Sequence, residues 1–169
     1  MFGDPDRSRQ IAYSAACIGL ITLGSWISLP CIPVPFTLQT LFVLLTGMVM
    51  KRYAVIPVSL YVTLGALGLP LFHNGIAGIG VLMGPTGGYL TGFIVAAFIT
   101  GLAYEHASRP IRICGLVFAT LAIYASGIGW LMFSLDRDFL PALYAGALPF
   151  IAGDVIKAGA AYLIAERLP

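Results

Sequence analysis

The stretch PFIAGDVIKAGAAYLIAERLP, residues 149–169, is apolar along most of its length, yet it holds Asp154 and Lys157 well inside the run. Positions three apart share one face of a helix. The apolar run of 141–165 that contains them is as long as a membrane-crossing helix, which needs about 20 residues. Charge is scarce throughout: 9% of the 169 residues are charged and 59% are hydrophobic, with a mean hydropathy of +0.95. Soluble domains carry roughly 25% charged residues, so this chain has more apolar surface than one core of its size can hide. Lipid is the expected solvent for most of it.

Working outward, five further apolar segments precede this one, near residues 11–29, 36–50, 53–69, 86–104 and 111–134. They lack the alternation of strands and exceed the roughly 9 to 11 residues of barrel strands, so helices are the way to satisfy their backbone in hydrocarbon. The expected fold is an all-α integral membrane protein, a six-transmembrane-helix bundle forming a single membrane domain over residues 1–169. The second and third segments are short for a span and borrow from their flanks or sit within the bundle.

Basic residues set the orientation, because Lys and Arg mark the cytoplasmic side. Arg7 and Arg9 precede the first segment, Lys51 and Arg52 join the second to the third, Arg109 and Arg112 join the fourth to the fifth, and Arg167 follows the sixth. The alternate loops hold only Arg137, between Asp136 and Asp138. Both termini are therefore expected in the cytoplasm, with the loops at 30–35, 70–85 and 135–140 outside. The N-terminal MFGDPDRSRQ has balanced charge and no small-residue cleavage site, and is read as retained. A net charge of +2 calls for no nucleic acid.

Motifs exclude several chemistries. There is no G-x-x-x-x-G-K-[ST] for nucleotide hydrolysis and no H-E-x-x-H for zinc. Gly78 and Gly80 form a G-x-G without a βαβ context, and His73 and His106 fall on opposite faces of the membrane. Cys17, Cys31 and Cys114 have no pairing pattern and read as packing residues. No metal site and no cofactor are expected.

Asp154 and Lys157 remain the exceptions to the rule that charges occupy loops and helix ends. One such residue at the centre of a membrane helix costs about 2.5 to 3.5 kcal/mol on insertion scales. A mutual ion pair that fixes helix register is one reading. A polar binding site inside the bundle is the stronger one, since mutual pairing leaves hydrogen-bonding capacity unused. PCIPVPFTLQT (30–40) brings Thr37, Gln39 and Thr40 into the next span, and PLFHNGIAGIGVLMGPTGGYLTG (70–92) is a long glycine-rich outer loop. Together they suggest a capture site for a small molecule arriving from outside. Gln39 can instead cross-link helices, and Tyr89 can serve as an interfacial anchor or stack on a ligand. Gly84, Gly88, Gly92 and Ala96 recur as a small-residue packing stripe. Ala12 and Ala16, in step with Ser8 and Gly19, form another smooth face, for packing or for docking.

VPFTLQTL (34–41), GPTGGYL (84–90) and PFIAGDVIK (149–157) resemble the signature segments of the BioY family, the biotin-specific S components of energy-coupling factor (ECF) transporters. The resemblance covers all six segments in order. It implies a non-enzymatic, biotin-binding specificity subunit of a vitamin importer in a bacterial or archaeal plasma membrane. The implied partners are a transmembrane coupling protein and two ATPase subunits, which would supply the missing P-loop, with Ala12 and Ala16 as the docking face. It carries Asp154 and Lys157 over as ligand residues, and with them Asn74 and Tyr89. Ala152 stands where the family often has Pro.

Biotin also suits the residues chemically. Its ureido head offers two N–H donors to Asp154 and a carbonyl acceptor to Lys157, which can instead pair with the carboxylate, and its rings and chain suit apolar walls drawn from Phe36, Phe72, Phe93 and Phe150. The carboxylate end is expected nearer the outer loops, at backbone N–H groups around Gly84 to Gly88 or at Asn74. The rival functions are an S component for another small vitamin, an intramembrane enzyme using Asp154 and Lys157 as acid and base, and an assembly scaffold. The sequence leaves open whether the chain acts alone, as a homo-oligomer or only with an ATPase module.

Overall fold

In a computed structural model, which describes residues 5–168, each of the six apolar segments is built around helix. Met1 to Asp4, part of the N-terminus read as retained, lie outside the described residues. α1 spans Pro5–Trp26 and gives way to the prolines of PCIPVP, which cannot continue a helix. There the chain forms a short ladder not expected from the sequence, β1 (Ser28–Leu29) antiparallel to β2 (Phe36–Thr37), pairing Ser28 with Thr37 and Leu29 with Phe36. The remaining helices are α2 (Gln39–Met50), α3 (Val55–Ala66), α4 (Ile79–Met83), α5 (Gly87–Tyr104), α6 (Arg109–Leu135), α7 (Phe139–Gly146) and α8 (Ile151–Ala165).

The run Gln39–Ala66 is long and apolar enough to be counted as one 28-residue span. A hydrogen bond shows that it is not: Gln39 Nε2 donates to the Tyr61 hydroxyl at 2.7 Å across a separation of 22 residues. A straight helix would hold those residues about 33 Å apart. The chain reverses instead at Lys51, whose φ of 54° breaks the helix, through a 3-10 turn at Lys51–Ala54. α5 and α6 are each long and apolar enough to cross a membrane. α7 and α8 qualify as a pair bent by 51°. The last segment, expected as one helix over 141–165, is thus two, because Pro149 interrupts the ladder between them.

Small residues set the helix contacts. A Cβ on Gly88 would lie 2.2 Å from Trp130 Cβ, and one on Gly92 would lie 3.1 Å from Ile123 Cα, so α5 and α6 run antiparallel at near-backbone contact. Ala96, completing that stripe, is fully buried. Gly24 meets Phe42 and Leu38, which places the end of α1 beside the start of α2, while Thr40 of α2 meets Asp154 at the start of α8.

The two ends of the bundle consequently differ. One gathers the start of α6 and the ends of α2, α5 and α8, with ion pairs from Arg52 to Glu105 at 2.5 Å and from Arg112 to Glu166 at 2.8 Å. The hydrogen bonds from Arg52 hold the Glu105 carboxyl below its ordinary pKa. The other end gathers the β1–β2 hairpin, the α3–α4 loop and the start of α8. Cys17 is buried in the core, as a packing residue should be, whereas Cys31 and Cys114 are exposed.

At Gly101 a Cβ would sit 2.2 Å from the Lys51 carbonyl oxygen, which is backbone and cannot rotate away. Gly101→Ala should therefore push the α2–α3 reversal off α5 and destabilise the protein by about 1 to 3 kcal/mol. A lower thermal unfolding midpoint in detergent would show this; an unchanged midpoint would mean that the contact is slack.

Candidate functional site

A cavity opens at the end of the bundle away from the ion pairs. It is lined by Val34 to Thr37, Gln39, Thr40, Phe72, His73, Thr86, Tyr89, Leu90, Phe93, Ile123, Tyr124, Phe150, Asp154 and Lys157. The space free of protein atoms is about 580 Å³, including its open mouth.

Asp154 organises the polar wall. The break after α7 starts α8 at Ile151, which puts Asp154 in its first turn, at the positive end of the helix macrodipole. One carboxylate oxygen, Oδ1, accepts from Thr40 Oγ1 at 3.0 Å and from Lys157 Nζ at 2.8 Å, and the other, Oδ2, accepts from the Tyr124 hydroxyl at 2.5 Å. Asp154 is 6% exposed and Lys157 5%. The mutual ion pair and the polar cavity, alternatives on the sequence, thus coexist. The Lys157 ammonium also lies 3.5 Å from the centroid of the Phe36 ring, an attractive cation–π geometry.

Phe36 stacks on Phe150 with centroids 6.0 Å apart. Its ring also occupies the space that a side chain at Gly153 would take, since a Cβ there would fall 2.4 Å from Phe36 Cζ. The glycine of the GD..K segment thereby seats the aromatic wall. Phe72, 1% exposed, meets Tyr61 edge to face at 5.7 Å.

Gln39 lines the cavity, but both ends of its amide are engaged: Oε1 accepts from Thr37 Oγ1 at 3.1 Å, and Nε2 donates to Tyr61, whose hydroxyl passes on to the Leu71 carbonyl at 2.8 Å. It cross-links α2 to α3 and orders the loop beyond. Tyr89 presents its ring to the cavity while its hydroxyl donates to the Gly146 carbonyl at 2.8 Å. Gly84 and Gly88 lie off the cavity lining, with carbonyls that accept from Trp130 Nε1 at 2.9 Å and Ser126 Oγ at 2.7 Å. Asn74 is exposed, has a φ of 55°, and accepts at Oδ1 from Ser28 Oγ at 2.7 Å. Ala12 and Ala16 are exposed on α1 and are not part of the packed interior.

Sequence reasoning missed Tyr124. A tyrosine in an apolar span resembles any aromatic anchor, and no local motif ties it to a carboxylate 30 residues away. Thr40 was legible only as one polar residue among three. His73 was assigned to an outer loop, yet it lines the cavity half-buried, and burial lowers its pKa.

Comparison with known proteins places this arrangement. A family model described as the BioY family matches residues 4–169. "Biotin transporter BioY" of Thermotoga maritima is 45% identical over 162 residues, covering 95% of each chain. "Probable biotin transporter BioY" of Pyrococcus horikoshii is 38% identical over 163 residues, covering 96% of this chain and 97% of that one. A solved structure described as the S-component for biotin from an ECF-type ABC transporter superposes with a TM-score of 0.86 at 26% identity, covering 99% of this chain and 94% of that one.

Tyr124→Phe leaves one oxygen of a buried carboxylate without its donor and should cost about 1 to 3 kcal/mol of stability. Removing the carboxylate as well makes the missing hydroxyl irrelevant, so the loss on Tyr124→Phe should shrink in an Asp154→Ala background. Thermal unfolding of the four proteins in detergent measures the coupling. Strictly additive losses would mean that the hydrogen bond contributes nothing.

Proposed function

The chain belongs to the BioY family, and on that premise we propose that it is the biotin-binding S component of an ECF-type vitamin importer, capturing biotin from outside a bacterial or archaeal plasma membrane. The observation that carries the reading is the desolvated Asp154–Lys157 pair on the wall of a largely apolar cavity. The ureido head brings two donors and one acceptor, which match a carboxylate with remaining lone-pair capacity and an ammonium with remaining protons. Phe36, Phe72, Phe93 and Phe150 suit the thiophane ring and chain.

In this reading six helices, α1, α2, α3, α5, α6 and the α7–α8 pair, cross the membrane with both termini in the cytoplasm. Seven of the nine Lys and Arg residues belong to the terminal segments and loops assigned to the inner side, which supports that orientation. The cavity then faces outward. The chain carries no catalytic role; a coupling protein and two ATPase subunits provide the energy. Ser8, Ala12, Ala16 and Gly19 are exposed, and a Cβ on Gly19 would meet nothing within 4 Å, so this face of α1 is free to receive a packed helix.

Isothermal titration of the purified protein with biotin, thiamine and riboflavin should show tight binding of biotin alone. Asp154→Ala and Lys157→Ala should each weaken it by at least about thirtyfold, the equivalent of about 2 kcal/mol, because each strands a buried partner. Wild-type affinity in both variants would sink the assignment. Replacing Ala12 and Ala16 by Leu should spare binding by the isolated protein and reduce energised uptake with its module; an equal fall in both would show that the face serves the bundle.

A further inference from the structure

The polar groups around the cavity are mostly committed, which narrows the choice of partner for the far end of a ligand. Thr37, Gln39 and Tyr89 use their polar atoms within the protein, and Thr86 Oγ1 leans toward the Val81 carbonyl at 3.4 Å. Backbone N–H groups of Gly84, Gly87, Tyr89 and Leu90 donate to nearby carbonyls. Asn74 faces outward beside Ser28. Among the described residues of the lining, His73 alone has a buried side-chain polar atom without a partner, Nδ1.

The imidazole is held by a well-built support. Phe72 on one side is anchored in the core, and the turn is closed by Gly75 N–H to the Phe72 carbonyl at 3.0 Å and Ile76 N–H to the His73 carbonyl at 3.2 Å. The Lys157 charge is already balanced by Asp154 2.8 Å away, so that pair presents no net charge to an anion. Apart from Lys157, His73 is, among the described residues, the one lining side chain able to become a cation.

Resting on the reading of the cavity as a biotin site, we propose that His73 recognises the biotin carboxylate through its ring N–H, while Asp154 and Lys157 hold the ureido head. The ring lines the cavity and makes no hydrogen bond among the described residues, which leaves its N–H for a ligand. The other titratable groups on the lining are Asp154 and Lys157 on α8, Tyr89 on α5 and Tyr124 on α6. Their hydrogen bonds go elsewhere, as do those of Ser25 on α1 and Tyr61 on α3, which both donate to the Leu71 carbonyl. Burial lowers the His73 pKa and favours neutral imidazole. A carboxylate beside it favours imidazolium and raises the pKa. Binding therefore takes up a proton between the lowered free-state pKa and the raised bound-state pKa, and affinity rises as pH falls through that window.

The test is titration of the full-length protein in detergent with biotin and with biotin amide, which keeps the head and loses the acid, from about pH 8 to about pH 5, where imidazole titrates. The wild type should bind biotin more tightly as pH falls, relative to the amide. His73→Ala should lose about tenfold or more for biotin, as expected for a hydrogen bond to a charged group, and change little for the amide. His73→Gln, which keeps a donor and cannot take up the proton, should recover part of the loss with a flat pH profile. Equal losses for both ligands, or no loss for either, would overturn the proposal and leave the biotin reading standing. Failure of the wild type to bind either ligand would remove that reading and this inference together.

Discussion

A carboxylate inside an apolar bundle must find hydrogen-bond donors within the protein, because lipid offers none. Asp154 draws them from three helices: Thr40 from α2, Tyr124 from α6 and Lys157 from its own α8. Each donor is held by a helix whose position depends on other contacts, so the carboxylate fixes where three segments meet. An apolar groove runs between α6 and α8, and Tyr124 and Asp154 both line it. Their hydrogen bond bridges the two helices there.

The same requirement explains why the last apolar segment is broken. A continuous helix over 141–165 would leave Asp154 in its interior with no help from the macrodipole. Stopping α7 at Gly146 and restarting at Ile151 places the carboxylate one turn from a helix N-terminus. The glycine before it leaves room for Phe36, which then covers the Lys157 ammonium. Short-range sequence choices at Pro149 and Gly153 therefore serve an interaction between distant segments.

What could be read from the sequence follows from this division between local and distant causes. Helical segments were legible because a long apolar run has few ways to satisfy its backbone. The reversal at Lys51 was legible because two basic residues interrupt an otherwise unbroken run. Asp154 and Lys157 stood out because charge elsewhere is confined to loops and helix ends. Tyr124 was invisible, since its role depends on helix packing that no local pattern encodes. The placements of Asn74 and His73 were likewise beyond reach: neighbours in the chain, one faces outward and the other lines the cavity, and the 3-10 turn that holds both depends on Asn74 adopting a positive φ. The break after Gly146 had a visible cause in Pro149, but the apolar run on both sides concealed it.

The internal pairing of Asp154 with Lys157 also bears on selectivity. Two unpaired charges would make the empty cavity costly and would bind many polar solutes merely by neutralising them. A pair already satisfied by each other, by Thr40 and by Tyr124 gains little from a generic solute. A ligand improves on that network only if it supplies both an acceptor for the ammonium and donors for the carboxylate, in one plane and at one end. A solute that offers only one of these leaves the other group desolvated without compensation, and discrimination of this kind exceeds what an apolar pocket achieves by shape alone. The aromatic wall contributes affinity with little preference, whereas the polar cluster at the start of α8 rejects solutes that cannot complete it.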